Sequence, residues 1–326
     1  MRPINIVIVG ARGAVGAALL EVLQQRAFPV GELRIGGHQG GQVEFAGRTI
    51  PVQPVSRELF SGCDVAFMAA AADVSRTWAP VAVEEGCLVI DKSNAFRMDP
   101  QVPLVVPEVN PDRIPRGPAL VASPNCSTIQ LVVALKPLED AFGIREVQVA
   151  TYQAVSGSGR EAMEELEAGT RQLLLGEPEA SSVYPKPIAM NVLALCDRLD
   201  DDGYTLEERK LTRETRRILE RADLPLSATA VRVPVMVGHS EAVFCRLARP
   251  ASVADALAVW ERAPGIVLRT ADVPTPREAA GQDEVLVGRV RQEEGRPDGL
   301  LFWVVADNLR KGAATNAVQI AEAALR

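Results

Sequence analysis

The sequence predicts an α/β fold, a doubly wound parallel sheet joined to a second, α+β domain. Three observations carry that expectation. The chain opens on a short, nearly all-apolar run, Ile4–Val9, which passes through a glycine-rich turn into a helical pattern. Apolar strands alternate with helical stretches up to Ala122, the pattern of a parallel sheet with helices on both faces. Beyond that point the pattern loosens towards antiparallel strands with intervening helices. A chain of 326 residues, 47% of them hydrophobic, has material for two cores. We expect residues 1–125, completed by a C-terminal helix over 308–326, to form the first domain and 126–307 the second.

Each element follows from its residues. Ile4–Val9 reads as a central strand, buried on both faces. Gly10-Ala-Arg-Gly-Ala-Val-Gly16 follows, and Ala17 to Gln25 has helical periodicity. Strand, glycine turn and helix make a phosphate-cradling dinucleotide loop of Rossmann type. Gly10 permits the tight turn, Gly13 lets backbone approach the pyrophosphate, and Gly16 lets helix and strand pack closely. The next strand is expected at Glu32 to Ile35, before Gly36-Gly-His-Gln-Gly-Gly41. An acid in that loop binds ribose hydroxyls and an arginine binds a 2′-phosphate, yet the loop has neither, so the residues leave NAD and NADP both open. Strands at Asp64 to Ala70 and Cys87 to Ile90 flank a helix over 71–85. Arg97 lies just past the second of these strands, where ligands of such sheets gather, and a surface ion pair is its other reading. Pro103 to Pro118 is proline-rich and irregular.

In the second domain, Arg145 to Tyr152 reads as a strand and Arg160 to Leu175 as a helix. Residues 177–187, with three prolines, form a loop. Thr205, with Glu208 three residues on, opens a capped helix that carries Glu207 and Lys210 at i,i+3, where a solvated ion pair is the ordinary reading. Ala228 to Val237 is a strand carrying Arg232, followed by Gly238 and His239. Further strands are expected at 241–248, 286–290 and 301–305, and a helix at 252–262. The alanine-rich run from Asp307 to Leu325 closes the chain as an amphipathic helix.

Composition excludes several functions. A net charge of −7 argues against a general nucleic-acid or anionic-membrane binder. No apolar run suits a membrane span or a secretory leader. The five cysteines are scattered, odd in number and without CxxC pairs, which fits reduced cytoplasmic thiols and no metal site. Histidine occurs twice, as His38 and His239, and His38 reads as an exposed loop residue.

One cysteine stands apart. The strand Ala119 to Ala122 feeds Ser123-Pro-Asn125, and an amphipathic run starts at Cys126. Pro124 stops the strand and Asn125 suits a helix N-cap, so Cys126 sits in a first turn. The unpaired amides there favour thiolate over thiol, which matters because a free thiol with a pKa of about 8.5 is mostly protonated at neutral pH. Cys126 is thus a candidate nucleophile, against the commoner fate of a buried core cysteine.

Taken together, Gly10-x-x-Gly-x-Val-Gly16, Ser123-Pro-Asn-Cys-Ser-Thr128, Thr151-Tyr-Gln-Ala-Val-Ser-Gly157, Tyr204-Thr-x-Glu-Glu-x-Lys210, Arg232-Val-Pro-Val-x-x-Gly-His-Ser-Glu241 and Asp307-Asn-Leu-Arg-Lys-Gly-Ala313 resemble the aspartate-semialdehyde dehydrogenase family over the whole chain. The resemblance implies NADPH-dependent reduction of β-aspartyl phosphate to the semialdehyde, in the route to lysine, threonine, methionine and diaminopimelate. It implies Cys126 as nucleophile, His239 as general acid/base with a near-neutral pKa, and Gln153 orienting the acyl group. Arg232 takes the substrate carboxylate, Glu207 its ammonium, and Arg97 and Lys210 the phosphate, with Asn125 as a further substrate- or phosphate-binding residue. Cofactor contacts fall to Gly10, Arg12, Gly13, Ala14, Val15 and Gly16, to Gln39, Gly40 and Ala71, and to Ser156, Gly157 and Asn308. It also implies a homodimer.

The chain departs from the family's pattern at Arg12, at Gln39-Gly40 and at Ala71-Ala72, all on the cofactor side. Arg12 offers a charge for a 2′-phosphate. These departures support one rival, a non-catalytic paralogue acting as a binding or assembly protein; the other rival is a related acyl-phosphate or acyl-CoA reductase of the same architecture. A substrate with an acylated amine has no ammonium for Glu207 to bind.

Overall fold

The computed structural model describes residues 2–37, 40–178 and 181–326. The backbone divides into two compact units, residues 1–125 with 313–326, and residues 126–312.

The first unit is built on a seven-stranded sheet. In chain order its elements are β1 (Ile4–Val9), α1 (Ala14–Gln25), β2 (Val30–Gly36), β3 (Gln42–Phe45), β4 (Arg48–Gln53), α2 (Arg57–Phe60), β5 (Val65–Met68), α3 (Ala72–Glu84), β6 (Leu88–Asp91) and β7 (Ala119–Ala122). The sheet order is β3-β4-β2-β1-β5-β6-β7, and all pairings are parallel except the β3–β4 hairpin. β1 therefore pairs with β2 on one side and β5 on the other. This is the switch point of a doubly wound sheet, where ligands bind beyond the carboxyl ends of the strands. β5 and β6 are buried along their whole lengths, β5 being wholly apolar and β6 apolar up to Asp91. The C-terminal helix, Thr315–Ala324, packs in this unit, and Asn316 ties it down by donating to Val105 O and Ser123 Oγ at 3.0 and 2.9 Å.

The second unit contains α4 (Cys126–Phe142), β8 (Ile144–Gln153), α5 (Arg160–Leu175), α6 (Leu206–Ile218), β9 (Leu226–Arg232), β10 (His239–Leu247), α7 (Val253–Trp260), β11 (Ile266–Arg269), α8 (Pro276–Ala279), β12 (Val285–Glu293) and β13 (Arg296–Ala306). Its six-stranded sheet runs β11-β12-β13-β10-β8-β9 and is antiparallel at its centre. One face is covered by α4, which packs on β8, β10, β12 and β13. On β10 that face carries His239, Glu241, Val243, Cys245 and Leu247, all buried. Trp260 fills the same layer, meeting Phe302 edge-on at 5.0 Å and donating its indole N–H to Ala134 O at 2.8 Å. The expected capping box of α6 is present: Thr205 Oγ1 accepts from Glu208 N–H and Glu208 returns the bond to Thr205 N–H. Such a cap is worth about 1 kcal/mol.

Two expected elements come out differently. β9 ends at Arg232 and not at Val237, because Pro234 has no N–H to continue the ladder. The closing run is not one regular helix from Asp307. A π-helical turn, Arg310–Ala314, precedes the C-terminal helix, and Gly312 N–H reaches Asp307 O, five residues back, at 3.0 Å. Asp307 imposes the turn by accepting from Leu309 N–H and Arg310 N–H.

Candidate active site

The glycine loop of the first unit has the geometry its residues suggest. Gly10 has φ 91°, and a Cβ on it would fall 2.5 Å from Ala69 O, so only glycine fits. A Cβ on Gly16 would lie 2.3 Å from Gly10 O, which makes Gly16 the close-packing position. Gly13 differs. A Cβ there would meet only Gly10 O at 3.5 Å, an ordinary contact, so nothing in the protein itself demands glycine. Gly13 N-caps α1 without any side-chain cap, leaving the amides of Ala14, Val15 and their neighbours for an anion. A pyrophosphate fits this open helix start. Arg12 reaches from the loop to Gly40, donating from Nη1 to its carbonyl at 3.1 Å. Gln39 and His38 lie outside the described residues. Ala71 caps α3, again without a side-chain bond.

At the carboxyl end of β6, Asp91 is wholly buried and organises the strand exit. It accepts from Ser75 Oγ and from both the N–H and the hydroxyl of Ser93. Arg97, also buried, is held by donating to Lys92 O at 2.7 Å. Asn125, the last residue of this stretch, is buried.

In the second unit Cys126 is the first residue of α4, and of the five free cysteines it alone is not buried. Burial pushes the Cys87 and Cys196 thiols up to about 12, which leaves them inert as nucleophiles at neutral pH. Gly312 lies against Cys126: a Cβ on it would fall 2.8 Å from the cysteine Cβ. The π-helical turn is what brings this glycine there.

A chain of polar contacts runs from β8 to α6. Gln153 Oε1 accepts from Thr151 Oγ1 at 3.1 Å, and its Nε2 donates to Glu207 Oε1 at 3.0 Å. Glu207 Oε2 pairs with Lys210 Nζ at 3.2 Å, and Lys210 also meets Asp197 at 2.6 Å. Burial opposes the Lys210 charge, but Glu207 and Asp197 outweigh it and raise its pKa. With side-chain exposures of 10% and 21%, Glu207 and Lys210 are not a solvated surface pair.

Arg232 ends β9. It donates from Nη1 to Ala154 O at 2.6 Å, while its buried Nε has no hydrogen-bond partner among the described residues. His239, wholly buried at the start of β10, accepts at Nδ1 from Ala154 N–H at 3.0 Å, and its Nε2 is likewise unpartnered. A buried donor without a partner is costly, so two of them mark a place for a ligand oxygen. Both side chains border Gly157, where a Cβ would lie 3.2 Å from His239 Nε2 and 3.2 Å from Arg232 Nη1, the nitrogen that donates to Ala154 O. The near-neutral histidine expected from the sequence is not what the fold provides. Burial, aided by the Arg232 charge and opposed by Glu207, pushes the His239 pKa down to about 3.

Ser156 and Asn308 bond to each other, the Asn308 amide donating to Ser156 Oγ at 2.9 Å, and Asn308 Oδ1 accepts from Gly238 N–H. They fix the turns that carry Gly157 and His239. No residue-type signal marks the Ala154 backbone contacts, Thr151 behind Gln153, or Asp197 behind Lys210. A glycine inside the closing motif was the one available hint of Gly312.

The chain is similar to known proteins over its whole length. The family model described as "Semialdehyde dehydrogenase, NAD binding domain" matches residues 5–116, and "Semialdehyde dehydrogenase, dimerisation domain" matches residues 135–311. The aspartate-semialdehyde dehydrogenase of Shewanella violacea is 48% identical over 99% of this chain and 98% of its own length. Aspartate-semialdehyde dehydrogenase 2 of Vibrio cholerae is 46% identical over 99% of this chain and 98% of its own. The crystal structure of the Vibrio cholerae aspartate semialdehyde dehydrogenase II complexed with ASA superposes with a TM-score of 0.97 at 44% identity, covering 100% of this chain and 99% of that one. The Candida albicans aspartate semialdehyde dehydrogenase with NADP gives 0.75 at 26% identity, covering 98% of each chain.

Proposed function

The chain belongs to the aspartate-semialdehyde dehydrogenase family, and we propose that it reduces L-aspartyl 4-phosphate to L-aspartate 4-semialdehyde with release of phosphate. This step serves lysine, threonine, methionine and diaminopimelate synthesis. One observation carries the reading: the single thiol left unburied, Cys126, belongs to the unit in which Arg232 and His239 border one small space at Gly157, each with a buried, unpartnered nitrogen.

Cys126 sulfur bonds to the acyl carbon and phosphate departs, leaving a thioester. A bound nicotinamide supplies the hydride that reduces it. Arg232 presents its free Nε edge to the substrate carboxylate, where a planar guanidinium makes two parallel hydrogen bonds. Glu207 takes the α-ammonium, and Gln153, anchored between Thr151 and Glu207, keeps the acyl chain in register. Lys210 and Arg97 are the phosphate-binding cations. NADP is the preferred cofactor, because the Arg12 guanidinium stands at Gly40, in a loop that carries no acid to repel a 2′-phosphate. A non-catalytic paralogue is disfavoured, since drift of the cofactor loops would have eroded this set of partners as well.

The protein acts as a homodimer. One face of the six-stranded sheet is covered by α4; the other presents Tyr152 and Trp303, their rings tilted against each other at 5.3 Å, with Phe244 alongside, and forms the pairing surface. Trp303→Glu is expected to sediment as a monomer. Free, scattered cysteines suit the cytoplasm. No helix among the described residues is long and apolar enough to cross a membrane.

The reaction is tested by nicotinamide absorbance, with aspartate semialdehyde and phosphate offered in parallel with NADP+ and NAD+. We expect phosphate-dependent reduction, faster with NADP+ and lost in Cys126→Ala. Turnover of an N-acylated semialdehyde in preference would assign the chain to the related reductases instead.

A further inference from the structure

Arg232 is held at its backbone, at one nitrogen and at one face. Its backbone pairs with Leu193, Arg232 N–H donating to Leu193 O at 2.8 Å and Leu193 N–H to Arg232 O at 3.0 Å. Its Nη1 donates to Ala154 O at 2.6 Å. Its guanidinium carbon stands over the ring of Tyr184, 5.9 Å from the centroid. That is within the reach of a cation–π contact, about 6 Å. Nη1 is taken, and Nε has no hydrogen-bond partner among the described residues. The Nε–Nη2 edge is therefore the one that a carboxylate can grip with two parallel bonds. A single hydrogen bond at Nη1 fixes where the guanidinium is and leaves its plane free to tilt about that bond. The tyrosine face opposes the tilt.

Tyr184 is itself positioned from two sides. Its hydroxyl donates to Ser158 Oγ at 3.1 Å. Ser158 closes the short turn, Val155–Ser158, that carries Gly157 beside Arg232. The backbone ahead of Tyr184 is pinned to α5: Glu165 Oε2 accepts from Ser182 N–H and Val183 N–H, both at 2.7 Å, and from the Ser182 hydroxyl at 3.1 Å. Burial opposes the Glu165 charge, but these donors outweigh it and hold the carboxyl below its usual range. Val183 and Tyr184 pack on an apolar cluster that includes Val155, Leu166 and Leu193. A side chain that merely filled that cluster needs neither a hydroxyl partner on Ser158 nor a buried cation under its face; leucine would serve.

We propose that Tyr184 is a positioning residue for substrate binding: its ring holds the Arg232 guanidinium in the plane in which the Nε–Nη2 edge meets the substrate α-carboxylate. The inference rests on the role given to Arg232 above. Tyr184 acts through the arginine and takes no part in bond making. The carboxylate is bound alike before and during the reaction, so loss of the ring falls on KM and spares kcat. A desolvated cation–π contact is worth about 5- to 30-fold in an equilibrium.

The test compares full-length variants by nicotinamide absorbance with aspartate semialdehyde, phosphate and NADP+. Tyr184→Leu keeps apolar packing and removes the face. It should raise KM for aspartate semialdehyde about 5- to 30-fold, with kcat and the phosphate KM within about twofold of wild type. Tyr184→Phe keeps the face and loses only the Ser158 bond, so its semialdehyde KM should stay within about threefold of wild type. Glu165→Gln leaves the ring in place and loosens the turn that carries it, and should raise the same KM. A semialdehyde KM in Tyr184→Leu within about twofold of wild type overturns the proposal, as does a Tyr184→Phe variant as impaired as Tyr184→Leu. Parallel losses in kcat and in the phosphate KM also overturn it, because they report collapse of the turn and not a misaligned guanidinium. If the leucine variant fails to fold, an unchanged KM in Glu165→Gln overturns it instead. Failure of the underlying reading shows separately: Arg232→Lys then leaves the semialdehyde KM unchanged, or wild-type protein reduces no nicotinamide.

Discussion

Gly157→Ala adds one methyl group at the point where the account is most exposed. The backbone of Gly157 is not in the left-handed region, so alanine fits the chain itself. Removing a glycine stiffens the unfolded state and stabilises by about 0.4–1 kcal/mol. The new Cβ would stand 3.2 Å from Arg232 Nη1 and from His239 Nε2. Both neighbours are fixed from behind by Ala154, the arginine through its carbonyl and the histidine through its amide. The methyl therefore stays between the guanidinium and the imidazole, in the space assigned to the substrate. Displacing a reacting group by about 1 Å costs on the order of 10²-fold, about 2.7 kcal/mol of barrier. We predict kcat/KM for aspartate semialdehyde down by about 10²-fold, with the urea midpoint unchanged or slightly higher and the Kd for NADPH unchanged by fluorescence. A variant with near-normal kcat/KM refutes the placement of the substrate. A loss seen only in NADPH affinity returns Gly157 to the cofactor contacts implied by the family resemblance.

Two further outcomes test other parts of the structure. Glu241 is wholly buried beneath α4, and burial, opposed by Gln130, holds its carboxyl well above the usual range. The folded state keeps this proton while the unfolded chain releases it above pH ~4.3, so stability falls as pH rises, by about 1.4 kcal/mol per unit up to the folded-state pKa. Glu241→Gln should therefore gain on wild type in urea melts as pH is raised from 5 to 8; parallel curves would show that the carboxyl is ionised in the fold. Arg12→Ala should weaken NADP+ about 10- to 100-fold, the worth of a charge-assisted hydrogen bond, and leave NAD+ unchanged; equal losses for both would make Arg12 a loop support and not a phosphate ligand.

The features legible in the sequence are local ones. The opening strand and its glycine turn, the capping box at Thr205 and the helix Arg160–Leu175 each declare themselves within a few residues. The β3–β4 hairpin does not. Its two-residue turn, Ala46-Gly47, has φ of 50° and 74°, and an alanine in that conformation carries no turn signal. Pro234 was visible, yet an apolar run hid its effect on β9. In the site, Cys126, Gln153, Glu207, Arg232 and His239 were readable as residue types in family motifs. How they are held was not. The backbone amide of Ala154, which holds His239 at Nδ1, has no residue-type signature, and the burial that drives the His239 pKa to about 3 is made by strands distant in sequence. Gly312 meets Cys126 through a turn that local periodicity reads as ordinary helix.

The central claim is a thioester on Cys126, and rapid mixing without phosphate tests it most directly. Protein, NADP+ and aspartate semialdehyde should give a burst of one NADPH per active site, then stop, with an aspartyl adduct on the Cys126 peptide by mass spectrometry. Adding phosphate should release the adduct and restore turnover. Steady turnover without phosphate, or a burst that survives in Cys126→Ala, would contradict it.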